Sequence, residues 1–271
     1  MSADSRQFYT QLNIGTAKPS VSQLEEVKHY FINTKNISEL YGAGHYEKDA
    51  IELLDKLFIE KDIVFMVGGS GLFINAVLKG VDDFIEIPSE VRENLNQKFE
   101  ELGIKWLQNK LKELDVNYYN SVDINNPQRM IRALEVSSYT GKPYSSFLNN
   151  NVPSRNFIPI KILLNTERDK LYKNINSRVD EMMAGGLLDE VKSLKDYKEL
   201  NALKTVGYKE LFAFLDASYS LTTAIEKIKQ HTRNYAKRQI TWFNNQDEFE
   251  KFEPDAIEKI KAYIDIIIKH G

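Results

Sequence analysis

Apolar positions follow two different rhythms along the chain. An uninterrupted apolar run of strand length occurs at Ile63–Val67, and Pro159–Leu164 also has a strand pattern. After Tyr46, in contrast, apolar residues recur every three or four positions, as helices require. An unbroken run such as 63–67 is typical of a strand covered on both faces. The alternation predicts α/β organisation, in which Ser2-Ala3 is the short end of a further strand.

Polar residues predict where several elements begin. Ser22 followed three positions later by Glu25 is typical of a capping box, and Thr166 with Asp169 predicts the start of a later helix. The residues His29–Ile32 are a candidate short strand.

Residues 88–147 show helical periodicity throughout. One helix is predicted to end at Gly103, a second follows directly, and a third is predicted from Asn126-Pro127 to Gly141, because proline fits a first helical turn and glycine ends a last one. We therefore expect an α/β core formed by 1–87 and 148–271, with 88–147 as an inserted helical domain.

Composition excludes several classes of protein. The chain has 271 residues, a net charge of −3 and no cysteine, so disulfides, thiolate metal sites and cysteine nucleophiles are ruled out. The four histidines are scattered, and we expect no metal site built from these residues. There is neither an apolar run of membrane-spanning length nor a signal peptide at the start, so we expect a cytoplasmic protein without membrane contact.

Two short segments beside the predicted strands could carry chemistry. Asp4-Ser5-Arg6-Gln7 follows the first strand remnant, where an aspartate can serve as a general base; a helix cap or solvated loop is the simpler alternative and is favoured by these residues alone. Gly68-Gly69-Ser70-Gly71 joins a strand to a helix and could receive an anion, but glycine also serves tight packing there. Its spacing matches neither the dinucleotide fingerprint nor the phosphate loop.

A third candidate is the helical stretch Asn126–Glu135. Gln128, Arg132 and Glu135 share one helix face and Arg129 lies beside them. Arginines with a glutamine suit phosphate groups or base edges, whereas an exposed face with an ordinary Arg–Glu pair is an equally good interpretation.

The fourth candidate is the stretch Lys227–Trp242. Between Thr222 and Thr241 the net charge is +4 in a protein that is acidic overall. Lys229, Arg233 and Lys237 recur every four residues and so form a stripe along one side of a helix. A basic stripe attracts a nucleic-acid backbone, and the local excess favours an anionic partner over a merely solvated face.

Taken together, these motifs resemble the tRNA dimethylallyltransferase family from Asp4 to about Glu250. The segments that carry the resemblance are Ala3–Tyr9, Asn13–Pro19, Val67–Leu72, Asn126–Glu135, Thr205–Tyr208, and Thr232-Arg233 with Ala236–Trp242. Six such segments in the family's order are far more specific than any one of them.

The resemblance implies a fold, a reaction and partners. The fold is a core like that of the P-loop NTPases, a parallel sheet flanked by helices, with an inserted all-helical domain that grips the tRNA. The reaction transfers a dimethylallyl group from dimethylallyl diphosphate to N6 of adenosine 37 beside the anticodon. The resemblance further implies nucleotide and ATP binding, help from Mg²⁺, and action on the tRNA anticodon stem-loop as a monomer in the cytoplasm.

The resemblance also assigns residue roles. Asp4 matches the general base, and Arg233 matches an arginine near the diphosphate. The positions that match tRNA contacts are Asp4, Ser5, Arg6, Gln7, Ser70, Arg92, Gln128, Arg129, Met130, Ile131, Arg132, Lys237 and Arg238.

One family feature has no match. The family begins with a strand and a phosphate loop ahead of the position of Asp4, and no G-x-x-x-x-G-K-[ST] occurs in the 271 residues. Losing that strand would uncover apolar faces and a strand edge. We expect an incomplete copy of a longer protein, with little activity of its own, rather than a remnant with altered activity.

Two other functions stay open. A non-catalytic RNA-binding module would keep the basic helix without the reaction. A small-molecule kinase could share the core, although the missing phosphate loop argues against it.

Overall fold

The computed structural model describes residues 1–81, 85–148, 153–246 and 249–270. The chain divides into two compact units, a larger one formed by Met1–Leu78 with Arg155–Gly271 and a smaller one formed by Lys79–Ser154. The smaller unit contains the helical segment 88–147 that the periodicity predicts.

The larger unit is mostly helical. Its helices and strands are α1 (Val21–Glu26), α2 (Ala43–Leu57), α3 (Gly71–Lys79, whose last residue belongs to the smaller unit), β1 (Ile162–Leu164), α8 (Arg168–Ala184), α9 (Leu187–Ser193), α10 (Tyr208–Leu215), α11 (Leu221–Asn244), β2 (Glu250–Phe252) and α12 (Ile257–His270). The smaller unit holds α4 (Ser89–Leu102), α5 (Ile104–Leu114), α6 (Val116–Ser121) and α7 (Pro127–Thr140).

Parallel strand pairing in the larger unit is short. β1 pairs with β2 in parallel, and Ser2 forms an isolated parallel bridge with Val67. Two hydrogen bonds hold that bridge: Val67 N–H donates to the Met1 carbonyl at 3.0 Å, and Ala3 N–H donates to the Val67 carbonyl at 2.7 Å. The residue that follows, Asp4, is thereby fixed to the end of the 63–67 segment.

The expectation that 63–67 is a strand covered on both faces is wrong. Phe65 and Val67 are 65% and 69% exposed, and Ile63 is exposed as well. The segment pairs along one edge with the first residues of the chain, and the described residues leave these side chains uncovered. An apolar sequence indicates that a segment is suited to burial. Whether it is buried depends on the elements that pack beside it.

Aromatic side chains build the core around the start of the chain. Phe8 is fully buried and stacks against Phe73 of α3, with ring centroids 6.0 Å apart. Tyr46 of α2 stacks on the same Phe73 at 4.7 Å, and its hydroxyl donates to the Ser2 carbonyl at 2.9 Å. The segment that carries Asp4 therefore rests on a rigid layer of rings.

Several predicted boundaries shift. The capping box of α1 is formed by Ser20 with Gln23, two residues ahead of the predicted Ser22 pair. Residues 29–32 form no strand; the chain turns there, with Phe31 at φ 63°. Helix α8 begins without a side-chain cap from Thr166.

The smaller unit packs its helices around an apolar core of its own. Leu107, Leu111 and Leu134 are fully buried in it. The predicted start and end of α7 are confirmed: Asn126 Oδ1 accepts the Arg129 N–H at 3.3 Å, and Gly141 takes a left-handed conformation with φ 70°. The side chain of Asn126 thus satisfies a backbone donor that the first helical turn leaves free.

Throughout the described ranges, every helix is too short or too polar to cross a lipid bilayer.

Candidate functional site

Asp4 sits in a tight turn that its own side chain closes. Asp4 Oδ1 accepts the N–H groups of Arg6 at 2.8 Å and Gln7 at 3.3 Å, the pattern of an Asx turn. Among the described residues, nothing donates to the second oxygen, Oδ2. The capping role and a chemical role are therefore compatible, because each uses a different oxygen of one carboxylate.

The glycine-rich segment 68–71 is pressed against the Asp4 turn. Ser5 N–H donates to Ser70 Oγ at 3.1 Å, and a Cβ placed on Gly68 would lie 2.4 Å from the backbone of Ala3. A Cβ on Gly71 would lie 2.6 Å from the ring of Trp242. These glycines therefore permit close approach of the protein's own backbone and side chains, which is the packing alternative.

Helix α11 closes the other side of a cavity of about 360 Å³ beside this turn. Gln239 of α11 donates its amide to the Gly69 carbonyl at 2.7 Å and so ties the helix to the glycine-rich segment. The cavity is lined by Ser5, Gly69, Ser70, Gly71, Leu72, Phe73, Tyr235, Arg238, Gln239, Trp242 and Phe243. It combines apolar walls with a few polar groups, as small-molecule and base-binding pockets do.

The positive charges on α11 are not equivalent. Lys229 is neutralised by Asp180 at 2.8 Å and Glu226 at 3.4 Å, so it drops out of the predicted basic stripe. Arg233 donates to the amide oxygen of Asn176 on α8 at 2.6 Å, and no carboxylate within the described part of the chain pairs with this guanidinium. Lys237 and Arg238 are exposed. The basic stripe on α11 therefore has fewer unneutralised charges than the sequence predicts.

Asp4 and Arg233 have different neighbours. The charges of Asp4 and Arg238 both act on the phenol of Tyr235, which lines the cavity. Arg233 faces α8 through Asn176, and no hydrogen bond or ion pair within the described ranges joins it to Asp4. The two predicted catalytic residues thus lie in the same structural unit without direct contact. Arg233 is on α11, and Asp4 is in the turn beside it.

In the smaller unit, the predicted binding residues fall into two groups. Gln128 and Arg129 are exposed at the start of α7, and the buried carboxylate of Glu135 receives Arg92 and Arg132, each at 3.2 Å. Arg92 also donates to Gln128 Oε1 at 3.1 Å. Two arginines share one carboxylate, so the cluster keeps a positive surplus that suits an anionic ligand.

Met130 and Ile131 require a correction. Their side chains are 0% and 1% exposed, in the core of the smaller unit. A contact of these two side chains with RNA is therefore excluded by burial; their contribution is to hold α7, and with it Gln128 and Arg129, in place.

Glu190 of α9 joins two of the motifs named above. Its carboxylate accepts the N–H groups of Asn13, Ile14 and Gly15 at 3.1, 2.8 and 3.2 Å, and the hydroxyl of Tyr208 at 2.5 Å. Gly15 is required there because a Cβ would lie 2.5 Å from the Tyr208 ring.

The same loop is tied to the Asp4 turn. Gln7 donates its amide to the carbonyls of Thr16 and Ala17, both at 3.3 Å. Lys18 donates to the Tyr9 carbonyl at 2.5 Å, and burial lowers the pKa of its ammonium group to about 8. The motif 13–19 therefore stabilises the Asp4 turn through these hydrogen bonds.

Replacing Glu190 by glutamine is expected to destabilise the fold by about 2–3 kcal/mol, because one amide oxygen cannot satisfy three backbone donors and a phenol, and the amide NH₂ opposes the N–H groups. Urea unfolding measures the change. Glu199→Gln is the matched control, since that side chain is 82% exposed and lies 3.7 Å from its lysine. Equal stability of both variants would show that the network contributes nothing.

The sequence missed several site residues. The sequence of α8 predicts a helix with an apolar face but does not single out Asn176. No motif in the sequence lies beside Glu190. Tyr235 and Gln239 fall inside or beside the motif of α11, but only the structure shows that they line the cavity.

The fold and site define a mostly helical protein with a small parallel sheet, in which a carboxylate turn and a partly basic helix flank one cavity. The family model of the IPP transferases matches residues 7–246. The tRNA dimethylallyltransferase of Christiangramia forsetii is 51% identical over 96% of this chain and 86% of its own length. That of Bacteroides thetaiotaomicron, named tRNA dimethylallyltransferase 1, is 46% identical over 97% and 86%.

Solved structures agree. The full-length tRNA isopentenylpyrophosphate transferase of Bacillus halodurans superposes with a TM-score of 0.69 at 32% identity, covering 99% of this chain and 86% of that one. A eukaryotic dimethylallyltransferase solved acting on tRNA reaches 0.81 at 23% identity, over 99% and 72%, which supports the fold alone.

The chain belongs to the IPP transferase family and is by family a prenyltransferase enzyme. Its fold class is accordingly the P-loop-like α/β class of the tRNA isopentenyltransferases.

Proposed function

We propose that this protein transfers a dimethylallyl group from dimethylallyl diphosphate to N6 of adenosine 37, next to the anticodon of tRNA. The observation that carries the proposal is the 51% identity over 96% of the chain to a protein named tRNA dimethylallyltransferase. Extruding the target base from the anticodon loop costs a few kcal/mol, which contacts with the protein offset.

Asp4 acts as the general base in this proposal. The N6 lone pair attacks the first carbon of the prenyl donor, the carbon–oxygen bond breaks, and the diphosphate leaves with the bonding electrons. The proton lost from N6 passes to the Asp4 carboxylate. Oδ1 is occupied by the turn, so Oδ2 is the oxygen available to accept it.

Arg233 stabilises the leaving diphosphate in this proposal. Its guanidinium is held by the neutral Asn176, and it has no carboxylate partner among the described residues. A preoriented, uncompensated cation is suited to negative charge that develops as a bond breaks.

The tRNA backbone is held by positively charged and polar surface groups. In the larger unit we assign this role to Ser5, Arg6, Gln7, Ser70, Lys237 and Arg238, and in the smaller unit to Arg92, Gln128, Arg129 and Arg132. Lys237, Arg238 and Arg129 are exposed, which supports the assignment. Contacts of this kind fix the register of the RNA without reading its sequence.

Mg²⁺ enters the proposal only through the family resemblance. Across the described ranges no group of three or more His, Asp or Glu side chains could hold a metal ion, and no step is derived through Mg²⁺. ATP binding, a monomeric state and a cytoplasmic location likewise stay predictions from the sequence.

Two measurements on the purified 271-residue chain test the proposal. Filter binding of an anticodon stem-loop across a salt series is expected to give a slope of log K against log salt of about −2 to −3, as three or four neutralised phosphates imply. Turnover of dimethylallyl diphosphate is expected to be very low, because the 271 residues contain no phosphate-loop motif. A version of the chain to which a segment with such a loop is added ahead of Met1 is expected to turn over.

The outcomes separate the alternatives. RNA binding without turnover in either chain would favour the non-catalytic RNA-binding module, and the absence of any salt slope would contradict both RNA functions. Transfer of a phosphoryl group from ATP to a small-molecule acceptor would favour the kinase. Robust turnover by the 271-residue chain would contradict the expected need for the loop.

A further inference from the structure

Tyr235 occupies the side of α11 that faces the Asp4 turn. Its side chain lines the cavity of about 360 Å³ together with Ser5 and Ser70, and it remains 41% exposed there. Ser70 lines the same cavity, and its Oγ accepts the N–H of Ser5 at 3.1 Å. The phenol therefore lies at the cavity, across from the backbone that follows Asp4.

The environment keeps this phenol protonated. Partial burial raises the pKa of Tyr235, and the charge of Asp4 raises it further; Ser70, Arg6 and Arg238 act in the opposite direction. A protonated phenol carries a hydrogen that it can donate.

Asp4 and Tyr235 together present one acceptor and one donor. Asp4 Oδ2 receives no hydrogen bond from the described residues, and Tyr235 lines the same cavity as Ser5, the residue that follows Asp4. Adenine offers the complementary pair on its Watson–Crick edge, the exocyclic N6–H donor next to the N1 acceptor. Guanine carries an oxygen where adenine has the amine and a hydrogen on N1, so the oxygen would face the carboxylate and the N1–H would face the phenol.

We propose that Tyr235 is a specificity-determining residue, whose hydroxyl at the cavity mouth donates a hydrogen bond to a ring nitrogen of the purine while Asp4 receives the exocyclic amine. The inference rests on the proposed function and deepens it, because it names the contact that selects adenine. A pocket built to hydrogen-bond a substrate rejects analogues that leave its polar groups without partners.

The test compares Tyr235→Phe with the wild-type 271-residue chain, because phenylalanine keeps the ring and removes only the hydroxyl. Three anticodon stem-loops serve as probes, with adenosine, guanosine or purine riboside at the target position. Tyr235→Phe is expected to weaken binding of the adenosine loop about five- to tenfold, the loss of one hydrogen bond, and to reduce the preference over guanosine by a similar factor. Tyr197→Phe is the matched control, because Tyr197 is similarly exposed at 53% in the same unit.

Purine riboside separates two roles of the phenol. It lacks the exocyclic amine and so loses the Asp4 contact, but it keeps the ring nitrogens. If Tyr235 contacts the ring, the phenylalanine variant still weakens this probe about fivefold. Unchanged binding of purine riboside would show that the phenol acts only by holding Asp4 and would overturn the inference.

The remaining outcomes distinguish this inference from the proposed function. A wild-type chain that prefers adenosine loops, together with a phenylalanine variant that does so equally, would overturn the role of Tyr235 alone. A wild-type chain that binds all three loops equally, or none, would overturn both. Circular dichroism of each variant at the assay temperature verifies that it is folded.

Discussion

Replacing Asp4 by asparagine is expected to slow prenyl transfer to the stem-loop by about 10²- to 10⁴-fold, while stem-loop binding weakens by no more than about tenfold, the loss of one hydrogen bond. The asparagine amide oxygen can still accept the N–H groups of Arg6 and Gln7 that close the turn at 2.8 and 3.3 Å. The variant therefore keeps the turn and loses the base. Single-turnover transfer of a labelled dimethylallyl group, in a version of the chain to which a phosphate-loop segment is added, measures the rate.

Asp169→Asn is the control for this variant. Asp169 lies exposed in the first turn of α8, and its replacement removes the same charge. We expect the control variant to transfer at the wild-type rate. Transfer by the Asp4 variant at that same rate would remove Asp4 from the chemistry and leave it the capping role that the Asx turn already explains.

The second large effect concerns stability. Gly68→Ala is expected to lower the free energy of unfolding by about 3 kcal/mol or more, because its Cβ would lie 2.4 Å from the carbonyl carbon and oxygen of Ala3. The backbone of Ala3 cannot move aside as a flexible side chain can. Relief would require breaking the 2.7 Å bond from Ala3 N–H to the Val67 carbonyl, which fixes the Asp4 turn.

Urea unfolding compares this variant with Gly42→Ala. A Cβ placed on Gly42 would meet no atom within 4 Å, and the φ of −115° at this position is one that alanine adopts readily. We expect the control to change stability by less than about 1 kcal/mol. Similar stability of both variants would mean that the glycine-rich segment 68–71 is not pressed against the backbone of Ala3 as described.

Helices with strong periodicity and clear end signals could be predicted from the sequence. The bounds of α7 follow from Asn126-Pro127 and Gly141, since each residue satisfies a local need of a helix end. Cap positions that depend on a choice between neighbouring serines were missed by two residues, as at Ser20. Burial of 63–67 could not be predicted, because it depends on which strands lie beside it.

The site was predictable only in part, for a similar reason. Asp4 and the glycine-rich segment stand out as motifs, but their contact through Ser5 and Ser70 joins residues 65 positions apart. Lys229 looks basic in sequence and is neutralised by Asp180 from another helix. Pairings of this kind arise from tertiary packing and leave no trace in local spacing.

We expect Asp4 to face the amine of an adenosine while the cations of α11 hold the RNA. Mass spectrometry of an anticodon stem-loop, incubated with dimethylallyl diphosphate and a version of the chain to which a phosphate-loop segment is added, shows whether this is so. We predict a gain of one dimethylallyl group on the adenosine beside the anticodon, a gain slower by about 10²-fold or more with the Asp4→Asn variant, and none with guanosine at that position. An unmodified adenosine under conditions in which the RNA is bound would contradict this expectation.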